Sequence, residues 1–357
     1  MSDPEKKPAR LYRIFSGLLL AITLFFPLEL LGAEQPAEVA QPAEPPQPAT
    51  QTTPPAQTTQ PAQPGGLLSS MDASRDYLSG KIISFATDID RFFGNERNYQ
   101  ETNNSVMQLD LDRVTGYSGD RKFSLSARAN LNLPATEKRL HLLLESNPDQ
   151  NIEGAPSQNQ FTPLNNQVNT PQSYGLALRY EQVKEELQAS HINADAGLKF
   201  QGIKVNPFVR TSGSYSIPLD QWRLKAWETV YWFNTIGAGE TTQVDLEHIL
   251  SPSVLFRATS SATWLKDAPY YNLRQDLSIY HALDERTALL YQLSALGVSS
   301  PQWQTTVNVA SVFYRYRLHQ KWMYFEVSPQ LYFPRTNNFQ SAFTLSMRLE
   351  MLLDNTR

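Results

Sequence analysis

Apolar and polar residues alternate with a period of two through most of the chain between residues 104 and 353. The clearest segments are 123–133, where every odd position is apolar, and 343–353, which repeats the pattern. Successive side chains of a β-strand point to opposite faces, so each segment predicts a strand with one apolar and one polar face. A tilted strand of about ten residues can cross a lipid bilayer.

The alternation predicts fourteen strands, or twelve if one pair of segments is merged or spurious. The predicted strands are 104–114, 121–133, 138–146, 172–182, 187–200, 204–217, 222–235, 241–249, 253–265, 271–282, 286–297, 304–318, 322–333 and 340–353. Tight turns follow the even strands, and the longest connection, 147–171, follows an odd one. This parity is typical of membrane barrels, and an even count closes a sheet without an edge. The predicted fold class is therefore all-β, a transmembrane antiparallel β-barrel.

Aromatic residues mark the ends of the predicted strands. All six Trp follow residue 221. Four of them lie at or just beyond strand ends: Trp222, Trp264, Trp303 and Trp322. Amphipathic rings favour the headgroup boundary of a membrane, which predicts two aromatic girdles. Strand seven differs, because aromatic side chains occupy both faces between Trp227 and Phe233, which suggests a β-bulge.

The first 33 residues have the order of a secretory signal peptide. Basic residues precede the apolar run 18–31, and the small residue Ala33 stands before a change to polar composition. The run contains Pro27 and is shorter than the roughly 20 residues that a spanning helix needs. Residues 1–33 are therefore predicted to be a signal peptide cleaved after Ala33, with an uncleaved inner-membrane anchor as the alternative.

Residues 34–66 are predicted to be a disordered linker. The segment consists mainly of Pro, Ala, Gln, Thr and Glu, with nine prolines up to Pro64, and it lacks the apolar residues that a core requires. Prolines in such number favour extended polyproline conformation. The linker is either a plain spacer or a tether that reaches the cell wall or a periplasmic protein.

Residues 67–94 are predicted to form an amphipathic periplasmic helix, because apolar residues recur at steps of three, four and seven. The stripe consists of Met71, Leu78, Ile82, Phe85, Ile89 and Phe92. Such a stripe must be buried against another apolar surface. It can pack on the chain's own barrel and plug its mouth, lie on the inner leaflet, or pair with a second copy as a coiled coil.

Composition excludes several kinds of site. The 357 residues contain no Cys, so disulfides, thiolate metal sites and cysteine nucleophiles are absent. A net charge of −4 lacks the basic surface of a nucleic-acid-binding protein. The five His show no metal-site spacing, and neither a metal nor a cofactor is predicted.

Together these features resemble bacterial outer-membrane β-barrel proteins as a class, through the signal peptide, the alternating segments and the terminal strand Phe343 to Leu353. The resemblance is generic and points to no named family. It implies a Gram-negative outer membrane, contact with outer-membrane lipids, and insertion by the barrel insertion machinery, which reads the last strand. In that class the last strand usually finishes on an aromatic residue, whereas here it ends at Leu353.

The polar face of a membrane barrel is its lumen, and here it carries charges of both signs. The predicted lumen-lining residues are Arg128, Arg179, Asp195, Lys199, Arg210, Arg257, Arg274, Asp276, Arg315, Arg317, Glu326, Arg348 and Glu350. Either these charges pair across strands, or the excess of Arg makes an anion-preferring filter. The predicted function is a narrow channel or an envelope-organising barrel without enzymatic chemistry, a porin-like role.

Two alternatives belong to other classes. An outer-membrane lipid hydrolase would need a lipid-facing Ser next to a His, and His191 and His281 are the candidates. Ser278 and His281 differ by three positions, so they point to opposite faces of a strand. A soluble periplasmic β-sandwich binding protein would use the polar face to meet water.

Overall fold

The structure is a computed structural model, and it describes residues 84–93, 105–116, 121–133, 139–152, 173–183, 190–319 and 322–354. The predicted signal peptide 1–33, the predicted linker 34–66 and the first part of the predicted helix, 67–83, lie outside the described residues.

Fourteen strands of the described residues form one closed sheet. They are β1 Val106–Thr115, β2 Arg121–Asn132, β3 Leu140–Ser146, β4 Tyr174–Val183, β5 Ser190–Gln201, β6 Lys204–Leu219, β7 Trp222–Phe233, β8 Gly237–Ser251, β9 Val254–Leu265, β10 Tyr271–Ala282, β11 Thr287–Val298, β12 Gln304–His319, β13 Met323–Pro334 and β14 Ala342–Asp354. Each strand pairs antiparallel with its neighbours in sequence, and β1 pairs with β14 from Val106↔Asp354 to Thr115↔Leu345. The antiparallel barrel of fourteen strands, rather than twelve, is confirmed, and the β-sandwich alternative is wrong because the sheet closes on itself.

The two ends of the barrel differ in their connections. At the end where odd-numbered strands begin, here called the turn end, β6 joins β7 through Asp220-Gln221, and β8 joins β9 through Pro252-Ser253. Asp220 has a positive φ of 54°, which closes its two-residue turn. The opposite end, here called the loop end, carries the long connection from β3 to β4 and a short 3-10 helix, Arg335–Asn337.

The barrel exposes apolar side chains outward and buries polar ones inward. In β5, Ile192 and Leu198 are 51% and 42% exposed, whereas Asn193 and Asp195 are buried in the interior. A water-soluble protein has the reverse arrangement, and a barrel surrounded by lipid has this one. The period of two in the sequence is thus the alternation between a lipid-facing and a lumen-facing surface.

Strand β7 contains no β-bulge, and the predicted irregularity is wrong. Its register with β6 and with β8 is continuous from Trp222 to Phe233. Tyr231 and Phe233 point inward, where they pack with Phe208, while Trp232 points outward. Aromatics occupy both faces because the interior holds an apolar cluster at this level. Register shifts occur instead in β8 and β12.

A charged substitution on the outer face tests where the apolar belt, the lipid-facing band of the barrel's outer surface, lies along the strands. Leu293 is outward, 59% exposed and near the middle of β11. We expect Leu293→Lys to lower the free energy of unfolding in lipid vesicles by about 2–4 kcal/mol, the cost of a lysine near the bilayer midplane. Leu353→Lys, outward at the turn end of β14, should cost about 0–1 kcal/mol. Equal losses from urea titrations of the two variants would contradict this placement of the belt.

Candidate functional site

The described part of a helix, α1 (residues 84–92), packs inside the barrel. Ala86 and Ile89 are 0% and 3% exposed, and they share one apolar cluster with inward side chains of β9 to β14. Those side chains are Leu255, Tyr280, Leu290, Val309, Phe313, Tyr332 and Ala342. For the described part of the stripe, Phe85, Ile89 and Phe92, the surroundings are therefore the chain's own barrel. No helix among the described residues is long and apolar enough to cross a membrane.

The width of the barrel explains why a helix fits. Fourteen strands spaced by about 4.8 Å and tilted by about 40° enclose a cylinder about 28 Å across between Cα atoms. Inward side chains narrow this space but do not fill it, since a barrel of about eight strands is the size that side chains alone can fill. A helix with its side chains is about 10–12 Å wide and occupies much of the remaining lumen.

A buried ion pair joins α1 to the barrel wall. Arg257 of β9 donates from both terminal nitrogens to Asp90, at 2.6 and 2.9 Å, and from Nε to Glu247 at 2.7 Å. Arg257 also donates to the hydroxyl of Tyr280 at 3.2 Å and lies over its ring. Glu247 in turn accepts from Arg223. Asp90 therefore completes the coordination of an arginine that is otherwise shared with one carboxylate.

The carboxyl end of α1 lies at the turn end of the barrel. Phe93 packs edge-to-face on Tyr280, with ring centroids 5.5 Å apart, and Phe92 packs in the same way on Tyr324 at 5.7 Å. Tyr280 is two residues from the end of β10, and Tyr324 is one residue from the start of β13. Strand β1 also begins at this end, so the end of α1 and the start of β1 lie at the same mouth of the barrel.

A second buried network lies on β3 to β6. Arg179 donates to both oxygens of Asp195, at 2.6 and 2.8 Å, and Arg210 reaches Asp195 at 2.7 Å and Glu145 at 3.0 Å. Arg179 and Asp195 have completely buried side chains, and Arg210 is 1% exposed. Charges are stable in such a setting only when they are paired and hydrogen-bonded. The network is therefore a structural part of the wall.

The first residues of the connection after β3, 147–152, fold into the lumen and are held by the same network. Arg210 donates to the backbone carbonyl of Asn151 at 2.6 Å, and Lys199 contacts Asp149 at 2.5 Å. Ile152 is 6% exposed and belongs to the apolar cluster of Phe208, Tyr231 and Phe233. Residues 147–152 therefore narrow the lumen from the loop end, as α1 does near the turn end.

A third network lines β12 to β14 and β1. Arg315 donates to both oxygens of Glu350, at 2.6 and 3.1 Å, and lies 3.6 Å from Glu326 and above the ring of Tyr324. Arg348 contacts Asp112 at 2.7 Å, with side chains 25% and 20% exposed. On β10, Arg274 pairs with Asp276 on the same strand at 2.8 Å.

Two histidines share one carboxylate near the turn end. Glu181 lies 3.2 Å from His141 Nε2 and 3.6 Å from His191 Nε2, and all three side chains are buried in the lumen wall. Asn193 adjoins His191 on the same face. His191 is therefore lumen-facing and does not meet lipid as a lipid hydrolase would require. Among the described residues there is no group of three or more His, Asp or Glu side chains arranged to hold a metal ion.

The predicted lumen-lining residues lie on inward positions of the strands, and most of them join one of these networks. Arg128 lies on the inner face beside Glu145 in the register of β2 and β3. Arg317 is different, because it lies at the turn-end rim and donates to the backbone carbonyl of Glu285. The sequence analysis did not single out Asp90. Asp90 follows Ala86 by four residues, which places both on one face of a helix, and this spacing is a signal that could have identified it.

The comparisons with known proteins concern the fold. No protein-family model matches the chain, and no curated protein matches it. The outer membrane channel DcaP of Acinetobacter baumannii is similar over 70% of this chain and 96% of its own, with 8% identity and a TM-score of 0.41. A loop deletion mutant of OmpT, an outer membrane protein of Vibrio cholerae, covers 70% and 98%, with 10% identity and a TM-score of 0.41. The NanC porin covers 50% and 93%, with 10% identity and a TM-score of 0.35.

The burial of the Arg210 network can be tested against the more exposed Arg348 pair. We expect Arg210→Gln to lower the free energy of unfolding by about 3–5 kcal/mol, because Glu145 and Asp195 lose a partner in the protein interior. Arg348→Gln should cost less than Arg210→Gln, since the side chains of Arg348 and Asp112 are 25% and 20% exposed and the lost charge is partly compensated by water. Urea titration in lipid vesicles measures both, and a smaller loss for Arg210→Gln than for Arg348→Gln would contradict the structural role.

Proposed function

We propose that the protein is an outer-membrane barrel channel whose lumen is closed by its own helix α1. The observation that carries this proposal is the burial of α1 in the lumen together with its ion pair from Asp90 to Arg257. The ladder that closes the barrel runs directly from β1 to β14 and does not involve α1. The helix can therefore leave without opening the sheet.

The chemistry of α1 suits a plug that is held in place and can be released. Its apolar residues, Ala86 and Ile89, favour the lumen, while Asp88 and Arg91 are exposed and pair only weakly at 3.6 Å. Asp90 is the acidic residue of α1 that pairs with a basic residue of the barrel wall, Arg257. Loss of that match leaves Arg257 under-coordinated and weakens the closed state by the cost of a broken buried pair, about 3–5 kcal/mol.

We also propose that the barrel lies in the outer membrane with its turn end facing the periplasm. The apolar outer face and polar lumen support a membrane location, and short turns face the periplasm in barrels of this kind. Export through cleavage of residues 1–33 and a periplasmic N-terminal region fit this orientation. The proposed partners are outer-membrane lipids, the barrel insertion machinery, and the cell wall or a periplasmic protein contacted through residues 34–66.

A non-enzymatic role is part of the proposal. The lipid-hydrolase alternative needs a Ser and a His together on the lipid face. Ser278 is buried on the lumen side of β10, whereas His281 is on its outer side near the turn end. His191 lies inside the barrel, where its side chain contacts Glu181 and Asn193.

Conductance measurements test the plug. We expect the full chain in planar bilayers to show rare or no openings, and the Asp90→Lys variant to open at least about 100-fold more often, because like charges then meet at Arg257. Asp88→Lys is the matched control, since Asp88 is exposed on the same helix. It should behave as the unmodified chain does.

Two outcomes would overturn the proposal. If the folded Asp90→Lys barrel inserts but stays silent, the lumen is filled by more than α1 and the channel function fails. If Asp88→Lys opens the barrel equally, the ion pair to Arg257 is not what holds the helix. Heat-dependent migration in gels, which separates folded from unfolded barrels, verifies insertion-competent folding in every case.

The open state should prefer anions. When Asp90 leaves, Arg223 and Arg257 share Glu247 alone, which leaves an excess positive charge on the wall. We expect the reversal potential of Asp90→Lys in a KCl gradient to favour chloride, and the additional Arg257→Gln substitution to reduce that preference. A preference for potassium in both variants would contradict the proposed role of this wall.

A further inference from the structure

The inner face of β9 to β14 carries an apolar surface that a channel for water-soluble ions does not require. Its inward side chains extend from Leu255, near the turn end, to Tyr332 and Ala342, near the loop end, and they are here called the apolar trough. At mid-height the inner face of β3 to β6 carries buried charges instead, among them Asp195 and Arg210. The apolar trough is therefore a distinct part of the lumen wall.

Helix α1 occupies the apolar trough with two kinds of chemical group. Ala86 and Ile89 place apolar side chains in the trough, and Phe93 packs against it. Asp90 places one carboxylate on its wall, where both terminal nitrogens of Arg257 donate to it at 2.6 and 2.9 Å. One carboxylate joined to an apolar surface is also the chemical make-up of a carboxylic acid with a long hydrocarbon chain. The helix therefore occupies the trough with the groups that such an acid would bring.

The surroundings of Arg257 hold its guanidinium group in position for a carboxylate. Its Nε donates to Glu247 at 2.7 Å, one terminal nitrogen donates to the hydroxyl of Tyr280 at 3.2 Å, and the group lies over the tyrosine ring. The side chain of Arg257 is only 2% exposed. Two terminal nitrogens that face the same way match the two oxygens of any carboxylate. When α1 leaves, a second carboxylate can restore this buried pair, whereas an uncharged ligand cannot.

We propose that the apolar trough and Arg257 form a binding site for a long-chain monocarboxylate, which competes with α1. The carboxylate takes the place of Asp90 on Arg257, and the hydrocarbon chain lies along the trough. The site becomes available only when α1 leaves, so it rests on the proposed function and names a class of ligand for the open state. A ligand that binds only the helix-free barrel shifts the population of the protein towards that state.

The apolar trough favours a hydrocarbon chain over an extended peptide. Helix α1 satisfies most of its backbone groups within itself, whereas an extended peptide would bring N–H and C=O groups to an apolar wall. The hydroxyl groups of the trough already have partners, since Tyr280 accepts from Arg257 and Tyr332 donates to Gln330. A hydrocarbon chain brings no polar group and needs no such partner.

Photoaffinity labelling of the full chain tests the site. The probe is hexadecanoate that carries a diazirine near the end of its chain, added to the purified protein in lipid nanodiscs, and mass spectrometry maps the labelled residues. We expect label on inward residues of the trough such as Phe313, and an excess of unlabelled hexadecanoate should remove this label while hexadecanol should not. Label on the outward residue Leu293 reports only probe dissolved in the lipid, and it serves as the internal reference.

Two substitutions separate the release of α1 from the recognition of the carboxylate. We expect Asp90→Asn to raise the inward label at least about tenfold, because a larger share of the barrels is then free of the helix. Adding Arg257→Gln to Asp90→Asn should lower the label again at least about tenfold, since the pair to α1 is already broken and only the partner of the ligand carboxylate is lost. Arg348→Gln in the Asp90→Asn background is the matched control. Arg348 pairs with Asp112 and is not part of the trough, so this label should not change.

Three outcomes would overturn the site, provided that heat-dependent gel migration shows folded barrels. They are equal competition by hexadecanol and hexadecanoate, a label in Asp90→Asn that Arg257→Gln leaves unchanged, and the absence of inward label from Asp90→Asn. Labelling requires no conduction, so the two proposals fail separately. A silent Asp90→Lys barrel, together with inward label in Asp90→Asn, overturns the channel and supports the ligand site. A conducting Asp90→Lys barrel, without inward label in Asp90→Asn, supports the channel and overturns the ligand site.

Discussion

The pairing of every backbone N–H and C=O group within the sheet is the constraint on which this structure depends. Lipid offers no hydrogen bonds, so a strand that crosses it must be paired on both sides. The ladder between β1 and β14 meets this requirement by closing the sheet. Closure with fourteen strands then creates a second requirement, because the enclosed space is wider than side chains alone can fill.

Two segments of the chain occupy the lumen. The charged side chains on its wall neutralise one another. Helix α1 fills the lumen near the turn end, and residues 147–152 narrow it from the loop end. Arg210, Arg257 and Arg315 each contact at least two carboxylates, so the buried guanidinium groups are matched. The difference between the two fillers is their attachment: the loop is joined to two adjacent strands, whereas α1 is attached to the barrel by one connection and by side-chain contacts.

Polar groups on the outer face need matching partners as well. Most of this face is apolar and needs no partner, and the outward polar side chains on β7 to β10 form hydrogen-bonded pairs, Thr242 with Glu228 and Ser260 with Gln275. A barrel can therefore place polar groups on two surfaces, and in each case the physical demand is a matching partner. In the lumen the chain supplies that partner itself, through Asp90 for Arg257 and Glu350 for Arg315. On the outside, neighbouring strands supply it, through Thr242 for Glu228 and Ser260 for Gln275.

Local pattern was sufficient for the strands and for the face that each residue occupies. The strand 271–282 was predicted with the bounds that it has, and Arg179 and Asp195 were placed on the inner face, because alternation with a period of two is a property of neighbouring residues.

Which side chains meet was not predictable in this way. Asp90 and Arg257 are 167 positions apart, and Arg210 and Asn151 are 59 apart. The aromatic residues on both faces of β7 were misread as a bulge because the inner cluster with Phe208 forms only between strands. The sequence by itself therefore determined a fourteen-strand barrel and its two faces, while the closure and register of the sheet decided what fills and charges the lumen, since only they bring distant residues together.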